Sequence, residues 1–273
     1  MKRGKNEKQF QKHLQQVVIS KVMLIVVISM AAFLVTQFGV TLFSNISNGH
    51  KHLKELEESL WAVDSASREF VQDGQTKQIV LEILKDPSGY AIERLDNAHW
   101  KFTETCGISN QLLITAKDGK LVYTSASERQ LTSYMLNYNN AICYNAKNTG
   151  ADAAYRAVYF DEGSYADVIY AQPIYEGDVI LGYLSMFLSG SSWNYLLSVN
   201  NNDGVITDLR SNAMYVSKPG LLGAFNKYNG TDSGIWKSDV GRYWVTSKRI
   251  PELSAQVYSL VYYPGNEGSW AVS

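Results

Sequence analysis

"QLLITAKDGKLVYTS", residues 111–125, decides the architecture. Two runs rich in Leu, Ile, Val, Thr and Tyr flank Lys117-Asp118-Gly119-Lys120, and Asp-Gly between β-rich runs is a strong hairpin signal. Working forward, residues 126–152 are mixed, with "ERQLTSYMLNYNNAICYNA" able to form a helix or a structured loop. Then come "AAYRAVYF" (153–160), "SYADVIYAQPIY" (164–175) and "VILGYLSMFLS" (179–189), punctuated by Asp161-Glu162-Gly163 and Glu176-Gly177-Asp178. This outlines an antiparallel meander. The same grammar returns: "LLITAKDGKLVYT" is echoed by "LLSVNNNDGVITD" (196–208), and residues 165–187 by "YWVTSKRIPELSAQVYSLVYY" (243–263). Two echoes in one order suggest two lobes of one kind.

Working backward, the texture is helical. "YAIERLDNAHWKFTE" (90–104) and "TKQIVLEILK" (76–85) have helical periodicity, separated by the breaker "DPSG". Leu53, Leu56, Leu60, Val63, Ser67 and Phe70 make one apolar seam at alternating spacings of three and four. The seam is either a parallel dimer contact or a helix lying on its own domain.

Before it, residues 22–43, "VMLIVVISMAAFLVTQFGVTLF", carry no charge. At 1.5 Å rise per residue they are long enough to span about 30 Å of hydrocarbon. The run is longer than the core of a signal peptide, and "SNISNGHK" after it holds no small-residue cleavage site, so an uncleaved transmembrane helix is expected. Residues 1–21 carry Lys2, Arg3, Lys5, Lys8, Lys12 and Lys21 against Glu7 alone, which puts the N-terminus in the cytoplasm and residues 44–273 outside. The net charge is −1 overall, so the part beyond the membrane is acidic; with no basic stripe, nucleic acid is excluded as a partner.

The residue inventory bounds the chemistry. The four histidines are His13, His50, His52 and His99, so a nucleophilic site in the β-rich lobes would have to borrow His99. No Walker-type loop occurs, and the acidic residues Asp161, Glu162, Asp167, Glu176 and Asp178 lie mostly at turns. No cofactor and no metal site is expected, since neither Cys106 nor Cys143 has a C-x-x-C or His neighbour. Those two cysteines lie outside the membrane, where they either form a disulfide or stay unpaired. Seventeen of the eighteen tyrosines lie between Tyr123 and Tyr263, each offering a flat apolar face and one hydroxyl.

Period-two alternation assigns faces. Tyr155, Ala157 and Tyr159 share one face of their strand and Arg156 the other; Tyr165, Asp167 and Ile169 share a face of the next, with Tyr170 opposite. Pairing through the turn at 161–164 would point Tyr159 and Tyr165 the same way with Asp167 beyond, two rings and a carboxylate suited to an ammonium group. Arg156 suits a carboxylate if the register shifts by one.

A basic tail, one transmembrane helix, a long helix and two small antiparallel lobes resemble the double Cache class of extracellular sensor domains. "LLITAKDGKLVYTS" is similar to that family's opening hairpin, and "YAQPIYEGDVILGYLSMFLS" (170–189) to its closing one. The resemblance implies an α+β fold with two PAS-like lobes. Residues 1–21 form the cytoplasmic tail, 22–43 the transmembrane helix and 44–110 the stalk and helices. Residues 111–192 form the membrane-distal lobe, 193–265 the proximal lobe, and 266–273 approach a second transmembrane helix with a cytoplasmic effector beyond it. It implies a bacterial signalling receptor, not an enzyme in these residues. Such a receptor binds an amine, amino acid or organic acid in the distal lobe and works as a homodimer in the bilayer. Tyr165-x-Asp167 resembles the family's Tyr-x-Asp element, whereas Ser185 and Met186 stand where a later aspartate is expected. The family's Arg-x-Trp-Tyr element is absent, and Arg129, Tyr134 and Tyr138 are its nearest substitutes. The candidate ligand contacts are therefore Tyr159, Tyr165, Asp167, Arg156, Tyr155, Tyr170, Arg129 and Tyr138. Two rivals stand beside this reading: an anchored hydrolase using His99, and a scaffold module with no cavity.

Overall fold

The computed structural model describes residues 3–126, 133–148, 154–159, 167–198, 202–210, 212–225, 228 and 233–262. Helix α1 runs Arg3–Gln72 and belongs to two compact units, one ending at Asn48 and one starting at Gly49. In the first unit Leu24, Ile25, Phe33 and Leu34 are all exposed, an apolar surface on every side of the helix. Among the described residues this is the one helix long and apolar enough to cross a membrane.

In the second unit the apolar seam turns onto its own domain. Leu53, Leu56, Leu60, Val63 and Ser67 are buried in the main core, so the seam is not free to pair with another chain. Each of the three leucines contributes about 2 kcal/mol by leaving water. Helix α2 (Gly74–Lys85) begins where Asp73 Oδ2 accepts from Thr76 N at 2.7 Å. Helix α3 (Gly89–Cys106) is capped by Ser88 and closed by Gly107 in the left-handed conformation.

Ten strands among the described residues form two antiparallel sheets. The first holds β1 (Asn110–Ala116), β2 (Leu121–Thr124), β3 (Tyr155–Tyr159), β4 (Asp167–Glu176) and β5 (Val179–Leu188), in the order β2-β1-β5-β4-β3. Between β2 and β3 lies helix α4 (Ser133–Ala146), inside the segment for which helix or loop was open. Gly119 takes φ +86 in the β1–β2 turn, and a Cβ there would also lie 3.0 Å from Asn140 Oδ1, so the position requires glycine on both counts.

After helix α5 (Asn194–Leu197), the second sheet repeats the plan with β6 (Asp203–Asp208), β7 (Ala213–Val216), β8 (Ser233–Ser238), β9 (Gly241–Ile250) and β10 (Ala255–Tyr262). Helix α6 (Pro219–Phe225) follows β7. The order β7-β6-β10-β9-β8 is that of the first sheet, so the lobes are doubled as the echoes suggest. The second echo matches β4–β5 with β9–β10, but the first is out of register. Asp203-Gly204 opens strand β6 rather than turning a hairpin, and Asp203 is buried, accepting from Ser217 Oγ and Lys218 Nζ at 2.8 Å each.

Along α1 the second sheet makes contact first: His52 Nδ1 lies 2.9 Å from Ser259 Oγ on β10, and Lys248 on β9 reaches Glu57. The first sheet meets α1 further on, at Asp64. Cys106 and Cys143 do not pair; both are free thiols. Cys106 packs against the main core at the end of α3, whereas Cys143 belongs to the separate cluster beneath α4.

Candidate functional site

The first sheet has two different faces. Leu112, Ile114, Val168, Tyr170, Leu184 and Met186 point into the main core shared with α1 and α2. Leu113, Ile169, Ala171, Tyr183 and Phe187 point the other way and are covered by Ile142, Cys143 and Ala146 of α4. The second layer is not purely apolar. Thr115 and Ser185 stand on the same outward parity as Leu113 and Phe187 and are buried, and Cys143 Sγ lies 3.9 Å from Thr115 Oγ1 and 3.7 Å from Ser185 Oγ. Burial pushes the Cys143 thiol above its ordinary pKa, partly offset by Ser185, Thr115 and Asn139, so it stays a neutral thiol. Asn139, one turn before Cys143, is 0% exposed, and neither amide atom makes a well-formed hydrogen bond. Such a group costs free energy unless something occupies it.

At the C-terminal end of α4 a cavity of 380 Å³ opens beside the β1–β2 turn. Thr115, Cys143 and Tyr183 are its buried lining, and Lys117, Asn140 and Lys147 stand at its edge. The Lys147 ammonium rests 3.6 Å over the Tyr144 ring. A second cavity, 560 Å³, lies between the end of α1, α2 and α3. Of its charges, Asp73 caps α2 and Arg94 pairs with Glu82 at 2.8 Å, while Glu69 and Lys101 line it outside any ion pair among the described residues.

The expected ligand residues divide between the faces. In the β3–β4 register Tyr155 opposes Ala171, Arg156 opposes Tyr170 and Tyr159 opposes Asp167. Arg156 lies on the face opposite Tyr155, as the alternation assigns, and turns inward. There its Nε lies 3.2 Å from Asp64 Oδ1, and its Nη1 donates to Leu253 O in the β9–β10 connection at 2.9 Å. Tyr170 OH donates to the same Asp64 Oδ1 at 2.6 Å, and Arg68 Nε donates to Asp64 Oδ2 at 2.8 Å. Arg156 and Tyr170 thus join sheet, helix and second lobe and face away from the α4 layer, which corrects their place among ligand contacts. Tyr155 packs in the α4 layer, and Tyr138 OH donates to Val158 O at 3.2 Å. Asp167 Oδ1 accepts from Gly190 N at 2.9 Å. Tyr165 and Arg129 lie outside the described residues, as does the side chain of Tyr159.

The second lobe's corresponding face is filled with rings. Phe225 on α6 lies 4.8 Å from Tyr258 and 4.9 Å from Tyr228, with Trp236 edge-on at 5.4 Å. These tyrosines are core packing. His99 is also structural: its Nε2 hydrogen-bonds Asn110 Oδ1, so that nitrogen donates and is not free as a base, and its ring packs against Phe70. The cavity residues that sequence alone did not single out include Thr115, Lys117 and Lys147. The available signal was Thr115, a polar residue at an outward position of an apolar strand.

Among solved structures the chain is similar to the sensor domain of the V. cholerae histidine kinase DctB, 16% identical, covering 84% of this chain and 100% of that one with a TM-score of 0.54. It is similar to the sensory domain of the Campylobacter jejuni chemoreceptor Tlp3 with isoleucine bound, 12% identical over 81% of this chain and 94% of that one, TM-score 0.53. It is also similar to the ligand-binding domain of the Pseudomonas fluorescens chemoreceptor CtaA in complex with L-isoleucine, 11% identical over 81% and 91%, TM-score 0.50. No protein-family model and no curated protein matches the chain. The fold is that of double Cache sensor domains, an α+β pair of antiparallel lobes on a long helix.

Proposed function

We propose that this chain is the extracellular small-molecule-sensing part of a membrane-anchored bacterial signalling receptor. Its N-terminus is cytoplasmic, its ligand sits under α4 in the first lobe, and it acts as a homodimer. The observation that carries the reading is the two-faced pair β3–β4. One face meets the α4 layer through Tyr155, Ala157, Ile169 and Ala171. The other meets α1 through Arg156 and Tyr170, which oppose each other across the ladder and both reach Asp64. A ligand that repositions α4 on this sheet therefore acts one strand thickness from the helix that continues into the apolar run. It shifts the receptor by the difference in its affinity for the two arrangements. Neighbours of this fold are sensor and ligand-binding domains rather than enzymes, consistent with a domain that recognises and does not convert.

The test is a thermal-shift screen of residues 44–273 against amino acids, amines and short organic acids. A ligand at 100 times its Kd adds about 2.7 kcal/mol to the native state, a rise of several degrees in Tm. Absence of any stabilising compound across the three classes would sink the sensing reading in favour of the scaffold.

A further inference from the structure

The cavity beside the β1–β2 turn has a charge pattern that selects among ligand classes. Lys117 and Lys147 stand at its edge, and among the described residues neither is ion-paired with a carboxylate. Its one acidic lining residue, Asp118, turns Oδ1 onto Lys120 N at 3.0 Å, a turn role. Inside, the lining is hydroxyl, thiol and ring: Thr115, Cys143 and Tyr183. Cys143 O and Asn145 O at this end of α4 accept from Lys147 N and Asn148 N, and Lys147 sets a cation at the negative pole of the helix.

An ammonium group would meet one carboxylate at this cavity, Asp118, against two lysines that repel it. Asp64 is held by Arg68, Arg156 and Tyr170; Glu176 is paired with Lys85; Asp167 accepts from Gly190 N. A carboxylate finds two cations, and its remaining atoms find Ile180 and the Tyr183 ring. The volume equals that of about a dozen waters, room for a short acid and not for a large one.

We propose that this cavity binds a small carboxylate, with Lys117 and Lys147 as the anion contacts and Thr115 and Tyr183 as hydroxyl partners within. The proposal rests on the sensing reading and narrows its ligand to an acid, against the amine that two rings and Asp167 suggest. On binding, Lys147 exchanges its contact with the Tyr144 ring for the anion.

The test is calorimetric titration of the full chain in detergent with sodium propionate, sodium lactate and sodium succinate, against propionamide and propylamine at matched ionic strength. At least one acid binds while the amide and amine do not. K117Q/K147Q weakens that acid about tenfold, the loss of one or two charge-assisted hydrogen bonds. K120Q, an exposed lysine of the same turn outside the cavity lining, leaves it unchanged. Circular dichroism of both variants checks that the fold persists. Binding of propylamine without the acids overturns the proposal, as does acid binding that is equal in the double variant. In either case a hit in the wider screen leaves the sensing reading standing, whereas an empty screen removes both.

Discussion

Asp64 is the residue on which the first lobe is tied to the long helix. It is 4% exposed and accepts from Arg68 and Tyr170 while pairing with Arg156, so one carboxylate answers two cations and a phenol. Burial, partly opposed by the cation of Arg156 and reinforced by the charge of Asp64, holds the Tyr170 hydroxyl well above its ordinary pKa. It donates a proton to Asp64 throughout the physiological range. Removing the carboxylate leaves Arg156 buried and uncompensated, so Asp64→Ala is expected to cost about 3 to 5 kcal/mol. Arg68, whose side chain is 35% exposed, is worth about 1 kcal/mol or less when truncated. Urea unfolding of both variants in residues 44–273 separates them. Equal midpoints would mean that the tie lies elsewhere. The Arg156 contact to Leu253 O adds a second expectation: Asp64→Ala loosens the second lobe's β9–β10 connection as well, visible as faster amide exchange there.

At the scale of elements, β5 leaves no room for a side chain at Gly182, where a Cβ would lie 2.4 Å from Thr115 O and 2.7 Å from Leu84 Cδ2. Backbone cannot yield cheaply there, so Gly182→Ala costs about 1 to 3 kcal/mol. Gly223, inside α6 with nothing within 4 Å of a Cβ, gains instead: Gly223→Ala adds about 0.5 to 1 kcal/mol. Thermal melts of the two alanine variants should move in opposite directions, and a stabilised Gly182→Ala would show that the strands have room to part. Hairpins of this kind were legible because their turn chemistry is local: Asp118-Gly119 and Glu176-Gly177-Asp178 announce the reversals. Facing was legible too, because parity survives any even shift. Register was not legible: Tyr159 opposes Asp167, a pairing that no turn residue specifies. The inward role of Arg156 escaped for a related reason: its partner Asp64 lies 92 positions earlier on a helix whose rotation relative to the sheet no local pattern specifies. The two lysines escaped because a pocket is a space between elements.

Across the unit that begins at Gly49, one topology is used twice with different contents. In the second lobe the face under α6 is closed by Phe225, Tyr228, Trp236 and Tyr258, which suits a rigid base. In the first, the face under α4 keeps hydroxyls and a thiol beside a cavity, which suits a site that something fills. Both lobes also bury a histidine against a helix. His52 on α1 bonds Ser259 of the second sheet, and His99 on α3 bonds Asn110 at the start of the first. Burial lowers the pKa of each below 6.5, opposed by Glu55, Leu197 O and Asp203 at His52 and by Asn110 and Asp96 at His99. A histidine with a lowered folded pKa binds fewer protons folded than unfolded. Its contribution is therefore complete above about pH 6.5 and is lost as pH falls toward the folded value. Melts of residues 44–273 at pH 7.5, 6.5 and 5.5, a range chosen to stay above the ordinary carboxylate pKa, should show Tm falling on the acid side. His52→Gln should flatten that fall while lowering Tm at pH 7.5, because the amide keeps a bond to Ser259 but cannot take up the proton. A Tm that holds level or rises from pH 6.5 to 5.5 would mean that neither imidazole is forced to stay neutral in the folded chain.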